Sequence, residues 1–172
     1  MLKKIISSGQ TGVDQAALDS AIRMGIPYNG WIDHTEHDVA VEKYQLHEIT
    51  TGSNTNFIEK NVKESDGTLI ISRGTSTNRI NFTREMLIKY KKQMLHIDLT
   101  LHRNLLEAAF MVSSWIKIKK IKILNVTGPQ ATEDANIYIE ALAILMQIMR
   151  GWRHHQYNKD TVQPLQQLQY CG

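Results

Sequence analysis

Residues 3–24 read Lys3-Lys4-Ile5-Ile6-Ser7-Ser8-Gly9-Gln10-Thr11-Gly12-Val13-Asp14-Gln15-Ala16-Ala17-Leu18-Asp19-Ser20-Ala21-Ile22-Arg23-Met24. Three segments of different character meet in this stretch. Lys3 to Ser8 carries the apolar pair Ile5 and Ile6 and fits a short strand. Gly9-Gln10-Thr11-Gly12 breaks it. From Val13 to Met24, Ala16, Ala17, Leu18, Ala21 and Ile22 recur at helical spacing. Gly25 and Pro27 then stop the helix, as a glycine just past a helix and a proline beyond it do. Strand, glycine turn and helix form the opening unit of a parallel α/β fold.

The rest of the chain repeats the alternation. Tyr28 to Ser53 is the least regular stretch, with short extended pieces expected at Tyr28 to Ile32 and Leu46 to Ile49. Asn54 to Lys63 reads as a helix with Phe57, Ile58 and Val62 on one face. Thr68-Leu69-Ile70-Ile71-Ser72 is a nearly continuous apolar run, as in a central strand covered on both faces. Helices are expected at Phe82 to Lys91, Leu105 to Ile118 and Glu133 to Met149, and strands at Met94 to Leu99 and Ile121 to Val126. The fold class is therefore α/β, a three-layer sandwich with a mostly parallel sheet and helices on both faces. Residues 1–150 read as one domain. Residues 151–172, rich in Gln and His and without periodicity, read as a poorly ordered tail.

The chain has 172 residues, 42% hydrophobic and 22% charged, which is globular composition and large enough to fold without disulfides or a structural metal. A net charge of +3 is too small an excess to argue for nucleic acid. The single Cys171 excludes an intrachain disulfide and a CxxC zinc site, and reads as an exposed tail thiol. No apolar run approaches the roughly 18 residues of a membrane span. The N-terminus turns polar at Ser7, far short of a signal peptide. A cytoplasmic location without membrane partners is the default expectation.

Three glycine-containing turns follow three candidate strands: Gly9 to Gly12, Arg73-Gly74-Thr75-Ser76-Thr77-Asn78, and Val126-Thr127-Gly128-Pro129. In open parallel sheets the ligand crevice forms outside those strand ends. Glycines let backbone approach a ligand, and the N–H groups of the following helix suit a phosphate or other oxyanion. The same glycines would also serve a tight strand-to-helix turn capped by Thr11 or Asp14. The segment is neither GxGxxG nor a P-loop. No serine stands in GxSxG.

Two other clusters read as surface. Asp33-His34-Thr35-Glu36-His37-Asp38 has five residues of metal-binding type but no helix signature, and is read as a solvated polar loop rather than a metal site. Lys117, Lys119, Lys120 and Lys122 sit where a helix C-terminus favours cations.

The segment Ser8 to Asp19 resembles the opening of the molybdenum carrier family, the circularly permuted YpsA-like branch of the SLOG Rossmann-like superfamily. Gly25-Ile26-Pro27, Gly30-Trp31, Asn61-Val62, Ser65 to Ile70, Ser72-Arg73-Gly74, His96 to Leu99 and Asn125-Val126-Thr127-Gly128-Pro129 agree in the same order, covering Met1 to Met149. The resemblance implies a Rossmann-like sheet that binds a nucleotide or phosphorylated cofactor, molybdenum cofactor by the family's name, and a homo-oligomer, dimer or tetramer. Gly9, Gln10, Thr11 and Gly12 would cradle the anion. Arg73, Gly74, Thr75 and Thr77 would border it, and Asn125, Thr127 and Gly128 would close the far side. Asp14 and Asp98 would orient a sugar or a base amine.

An enzyme that cleaves nucleoside monophosphates would instead use Glu85 as its carboxylate, with Arg73 or Arg84 on phosphate. A nucleotide-sensing interaction module is a third reading. The chain departs from the family pattern at Ser8, where the family carries a second glycine, and after Trp31, where it tends to carry Pro-Lys-Gly. It departs again at Asn78-Arg79-Ile80, in place of a Gly-Gly-Thr run. Arg79 would either supply a guanidinium to the ligand or fill its pocket.

Overall fold

A computed structural model describes residues 2–33, 39–49, 56–74 and 77–151. The elements in chain order are β1 (Lys4–Ile6), α1 (Val13–Met24), β2 (Tyr28–Asn29), β3 (Trp31–Asp33), α2 (Val39–Tyr44), β4 (His47–Ile49), α3 (Asn56–Glu64), β5 (Gly67–Ser72), α4 (Asn78–Lys89), β6 (Gln93–Asp98), α5 (Leu105–Lys119) and β7 (Ile123–Thr127). A sixth helix, α6, spans 137–151.

Five strands pair in parallel in the order β2-β1-β7-β5-β6. A separate parallel pair joins β3 to β4. Alternation along the central strands divides the layers. Ile5, Leu69, Ile71, Ile97, Leu124 and Val126 point to one face, where they share a core with Ala16, Ala17 and Ala21 of α1, Ala108, Val112 and Ile116 of α5, and Ile144 and Ile148 of α6. Phe57, Ile58 and Val62 of α3 and Met86 and Leu87 of α4 form smaller clusters on the other face. The expected three-layer α/β architecture is the one observed.

Helix α1 has the expected bounds, and Gly25 ends it in the left-handed conformation, its N–H returning to the last turn. The extended piece from Tyr28 is split at Gly30. A Cβ there would lie 1.7 Å from the Ser7 carbonyl oxygen, so only glycine lets the chain pass β1 so closely. Tyr28–Asn29 stays on β1, while Trp31–Asp33 leaves for β4. Helix α4 starts four residues before the expected Phe82, because the Thr77 hydroxyl caps it by accepting from the Ile80 N–H at 3.3 Å. Arg79 therefore stands on a helix, not in a loop. Helix α6 starts later than expected. Residues 131–136 form turns, with Glu133 accepting from the Gln130 N–H at 2.8 Å and Asp134 from the Asn136 N–H at 3.1 Å.

Candidate ligand-binding site

Strand β1 feeds α1 and leads outward to β2, while β5 feeds α4 on the other face and leads outward to β6. The order reverses at β7, which lies between them. Such a switch point opens a crevice at the strands' carboxyl ends. A crevice is found there, with room for about one water molecule. Ser8 and Asp14 line it from the β1 side, Asn125 and Thr127 from β7, Asn61 and Phe57 from α3, and Arg79 and Thr83 from α4.

Arg79 organises the polar wall. Its Nη2 donates to the Asp14 carboxylate, to Ser8 Oγ at 2.7 Å and to Thr127 Oγ1 at 3.4 Å. Ser8 Oγ donates to Asp14 Oδ2 at 2.6 Å. Thr83 Oγ1, one helical turn beyond Arg79, donates to its carbonyl at 2.9 Å. Asp14 is 2% exposed, so its charge is stripped of water and held by Arg79 and Ser8. Three buried atoms of this pair have no protein partner: Asp14 Oδ1, Arg79 Nε and Arg79 Nη1. They are the only buried side-chain nitrogen or oxygen atoms so left among the described residues. Buried polar groups are nearly always paired, so this local concentration calls for an explanation.

The glycines of the turns meet protein. A Cβ on Gly12 (φ 91°) would lie 2.4 Å from the Pro129 carbonyl oxygen, and one on Gly128 would lie 2.2 Å from the Ile71 carbonyl oxygen. Gly9 (φ 72°) faces Leu46, Leu18 and Tyr44. At the start of α1, the Val13 N–H donates to the Pro129 carbonyl at 3.3 Å and the Gln15 N–H to the Gln10 carbonyl at 2.9 Å. These glycines bring the turn after β1 against the turn after β7, and the turn after β7 against β5. A substitution at Gly12 therefore perturbs packing before it can report on a ligand.

Comparison with known proteins agrees with the fold. Residues 5–149 match the family described as circularly permutated YpsA SLOG. The chain belongs to that family. It is also 41% identical to the "Putative molybdenum carrier protein" of Syntrophus aciditrophicus SB, whose crystal structure superposes with a TM-score of 0.80. That match covers 86% of this chain and 94% of the other. No curated protein matches.

The fold thus places Ser8 and Arg79, far apart in the sequence, in direct contact. The remaining expected residues divide. Asn125 lies in the crevice wall, its amide donating to Thr68 Oγ1 at 3.1 Å across the paired strands β7 and β5. Gln10 accepts from the Gln130 amide at 3.2 Å, and Thr11 is exposed. Arg73 turns away to Asp134 (3.1 Å) and Glu140, tying the end of β5 to the stretch leading into α6. Asp98 Oδ1 accepts from the N–H groups of Gly74 and Thr100, each at 2.9 Å, and from the Thr100 hydroxyl at 2.8 Å. Those bonds from Thr100, followed by the one from Gly74, hold its carboxyl below the usual range. Glu85 lies on the exposed side of α4 and does not line the crevice. Thr75, His34 to Asp38 and the tail with Cys171 lie outside the described residues.

Asn61 and Phe57 enter the site with no chemical signal of their own in the sequence. Asn61 is 4% exposed and pins α3 to β3, accepting from the Trp31 N–H at 2.9 Å and donating to the Trp31 carbonyl at 3.1 Å. A second polar group lies at the ends of β5 and β6. His96 Nε2 is 2.8 Å from Ser72 Oγ, and Arg84 donates to His96 Nδ1 at 3.0 Å. Arginine has only donors, so Nδ1 accepts and the ring proton sits on Nε2, donated to Ser72. A serine nucleophile needs the opposite polarity. Among the described residues no group of three or more His, Cys, Asp or Glu could hold a metal ion. No described helix is long and apolar enough to cross a membrane.

Proposed function

We propose that this SLOG protein binds a small phosphorylated ligand, a nucleotide or a cofactor carrying a phosphate, at the crevice between β1, β7, α3 and α4. The carrying observation is the buried guanidinium of Arg79 with two unpaired donors. A phosphate or oxyanion satisfies such donors with short charge-assisted bonds. Ser8, Thr127 and Thr83 supply neutral hydroxyls around it, and Asp14 Oδ1 is left to accept from an amine or hydroxyl of the same ligand. The crevice admits about one water as it stands, so binding displaces the Arg79 side chain outward from the Asp14 carboxylate. The relative's name makes molybdenum cofactor, a phosphorylated pterin, one of the cargoes to test. The reading is one of binding, in the cytoplasm, and assigns no reaction.

The test is thermal unfolding of wild type, Arg79→Ala and Arg79→Lys with AMP, ADP-ribose, a phosphorylated pterin and molybdate. A ligand at 100 times its dissociation constant adds about 2.7 kcal/mol, which raises the midpoint by about 5–10 °C at this size. One compound should do so in wild type, weakly in Arg79→Lys and not in Arg79→Ala. No shift with any compound, or a full shift in Arg79→Ala, overturns the assignment.

A further inference from the structure

The edge of the main sheet opposite the crevice is strongly basic. Its strands are parallel and start level, with Lys4 beside Ile123, Leu124 beside Gly67, and Gly67 beside Gln93. The helices that lead into β2, β5, β6 and β7 all end there. Lys3 and Lys4 donate their backbone N–H groups to the Lys122 carbonyl at 2.7 and 3.2 Å, which sets them beside the Lys119–Lys122 turn ahead of β7. Lys91 stands ahead of β6, three strands along from β1, a distance of about 15 Å. The nearby acids are engaged. Asp66 accepts from the N–H groups of Lys122 and Ile123, each at 2.8 Å, and Glu64 from the Trp31 indole at 2.8 Å. Among the described residues, none of Lys4, Lys91, Lys119, Lys120 and Lys122 has a carboxylate partner.

Cations at helix C-termini have an ordinary cause in the helix dipole. Two of these lysines go beyond it. Helices α1, α4 and α5 close with the same reversed bond, from the Ile26, Lys92 and Ile121 N–H groups to the Ala21, Leu87 and Ile116 carbonyls at 2.9, 2.9 and 3.0 Å. The residue before each donor is left-handed: Gly25 (φ 65°), Lys91 (φ 50°) and Lys120 (φ 56°). Glycine is the residue this position favours, because a Cβ is strained there. Lys89 and Lys119 already serve the two dipoles, so Lys91 and Lys120 occupy strained places for the sake of further charge.

Aliphatic side chains stand among the charges. Ile88 next to Lys89 is 79% exposed, and Ile118 between Lys117 and Lys119 is 74% exposed. Nearby rings offer no face for stacking bases: Tyr90 lies beneath the Lys63 and Lys89 ammonium groups, and Tyr28 packs against the core. Nor is a helix presented sideways to enter a duplex groove, since the helices meet this edge end-on. We propose that this edge docks the protein on an anionic lipid surface, with the lysines among the phosphates and Ile88 and Ile118 reaching the acyl boundary. The expected absence of a membrane partner thus gives way to contact at the surface without a span. The crevice, at the opposite ends of the strands, faces away from the lipid, so this inference does not rest on the ligand reading.

The experiment is co-sedimentation of the full chain with vesicles of phosphatidylcholine alone, or with about 30% phosphatidylserine. The variants are Lys119→Gln with Lys122→Gln, Lys91→Gly with Lys120→Gly, Ile118→Gln, and Arg103→Gln as an exposed control after β6 at the opposite edge. The glycine pair separates charge from fold, since glycine suits both turns, and circular dichroism verifies each variant. Wild type should bind the anionic vesicles alone, and release them between about 0.1 and 0.5 M salt as screening shortens. Each lysine pair should weaken binding about 25-fold, about fivefold for each lysine near the surface. Ile118→Gln should also weaken it, and Arg103→Gln should leave it unchanged. Absence of binding to anionic vesicles, binding unaffected in both lysine pairs, or equal loss in Arg103→Gln overturns the proposal. Binding to a DNA duplex in place of vesicles, with the same dependence on the lysines, overturns the lipid assignment.

Discussion

The Arg79 guanidinium on the first turn of α4 is bonded to the Asp14 carboxylate on the first turn of α1, joining helices on opposite faces of the sheet. The charges are held at 18% and 2% exposure. Removing one partner of such a pair leaves an uncompensated buried charge, at about 3–5 kcal/mol. Arg79→Met should therefore destabilise by about that amount. The double variant Asp14→Asn with Arg79→Met should cost much less than the sum of the two single changes. Urea unfolding of the four proteins gives the coupling. Additive losses would show that the pair does not act as a unit.

Gly12 and Gly25 share a positive φ but not an environment. A Cβ on Gly25 meets nothing within 4 Å, whereas one on Gly12 would lie 2.4 Å from the Pro129 oxygen. Gly25→Ala should cost about 1 kcal/mol, the strain of a left-handed alanine. Gly12→Ala adds a backbone collision to that strain and should cost more than about 3 kcal/mol. Comparable midpoints for the two variants in chemical denaturation would contradict the packing described for the turn after β1.

The Asp19 carboxylate joins α1 to two tyrosines. Burial works against its ionisation, but hydrogen bonds from Tyr44 (2.7 Å), Lys43 (2.9 Å) and Tyr138 (2.8 Å) outweigh this and lower its pKa below the ordinary 3.8. A carboxyl depressed by folding contributes stability that is complete above its unfolded value and lost as pH falls through the folded one. Stability should drop below pH 3.8 by an Asp19 contribution that Asp19→Asn abolishes. At the alkaline end burial, with Asp19 close by, pushes the Tyr44 phenol up to about 12. Its contribution is present below pH 10 and lost as pH rises through about 12, and Tyr44→Phe should flatten that limb. Unfolding midpoints against pH check both limbs.

The layers were legible because their signals are local and redundant. Gly12 and Gly25 bracket an unbroken helical period, and Leu69-Ile70-Ile71 cannot be other than interior. The crevice was less legible. Its key cation lies two residues past a capping Thr77 within a polar run that reads as loop, and the cap bond to Ile80 is what turns the run into helix. The polar positions Thr68 and Asn125 inside buried strands were the available clue, since a strand covered on both faces has no other use for them. That the turns after β1 and β7 meet each other, rather than open space, depends on the relative placement of two loops far apart in sequence.

His96 offers the sharpest spectroscopic check. Burial, then the neighbouring Arg84 cation, lowers its pKa from 6.5, while Asp98 pulls the other way and His102 adds a smaller lowering. The ring is thus neutral at pH 7, with Nε2 protonated toward Ser72 and Nδ1 accepting from Arg84. Ring 15N and 1H shifts of His96, assigned with His96→Gln, should report that tautomer and a midpoint below 6.5. Arg84→Met removes both the donor and the nearby positive charge, so the midpoint should rise. A histidine lowered by folding contributes stability that is full above 6.5 and lost as pH falls through the folded value, so the variant should also lose less stability between pH 6.5 and 5 than wild type does. An Nδ1-protonated ring would reverse the Ser72 bond, make Ser72 the donor, and reopen the base–hydroxyl chemistry that the present geometry does not support.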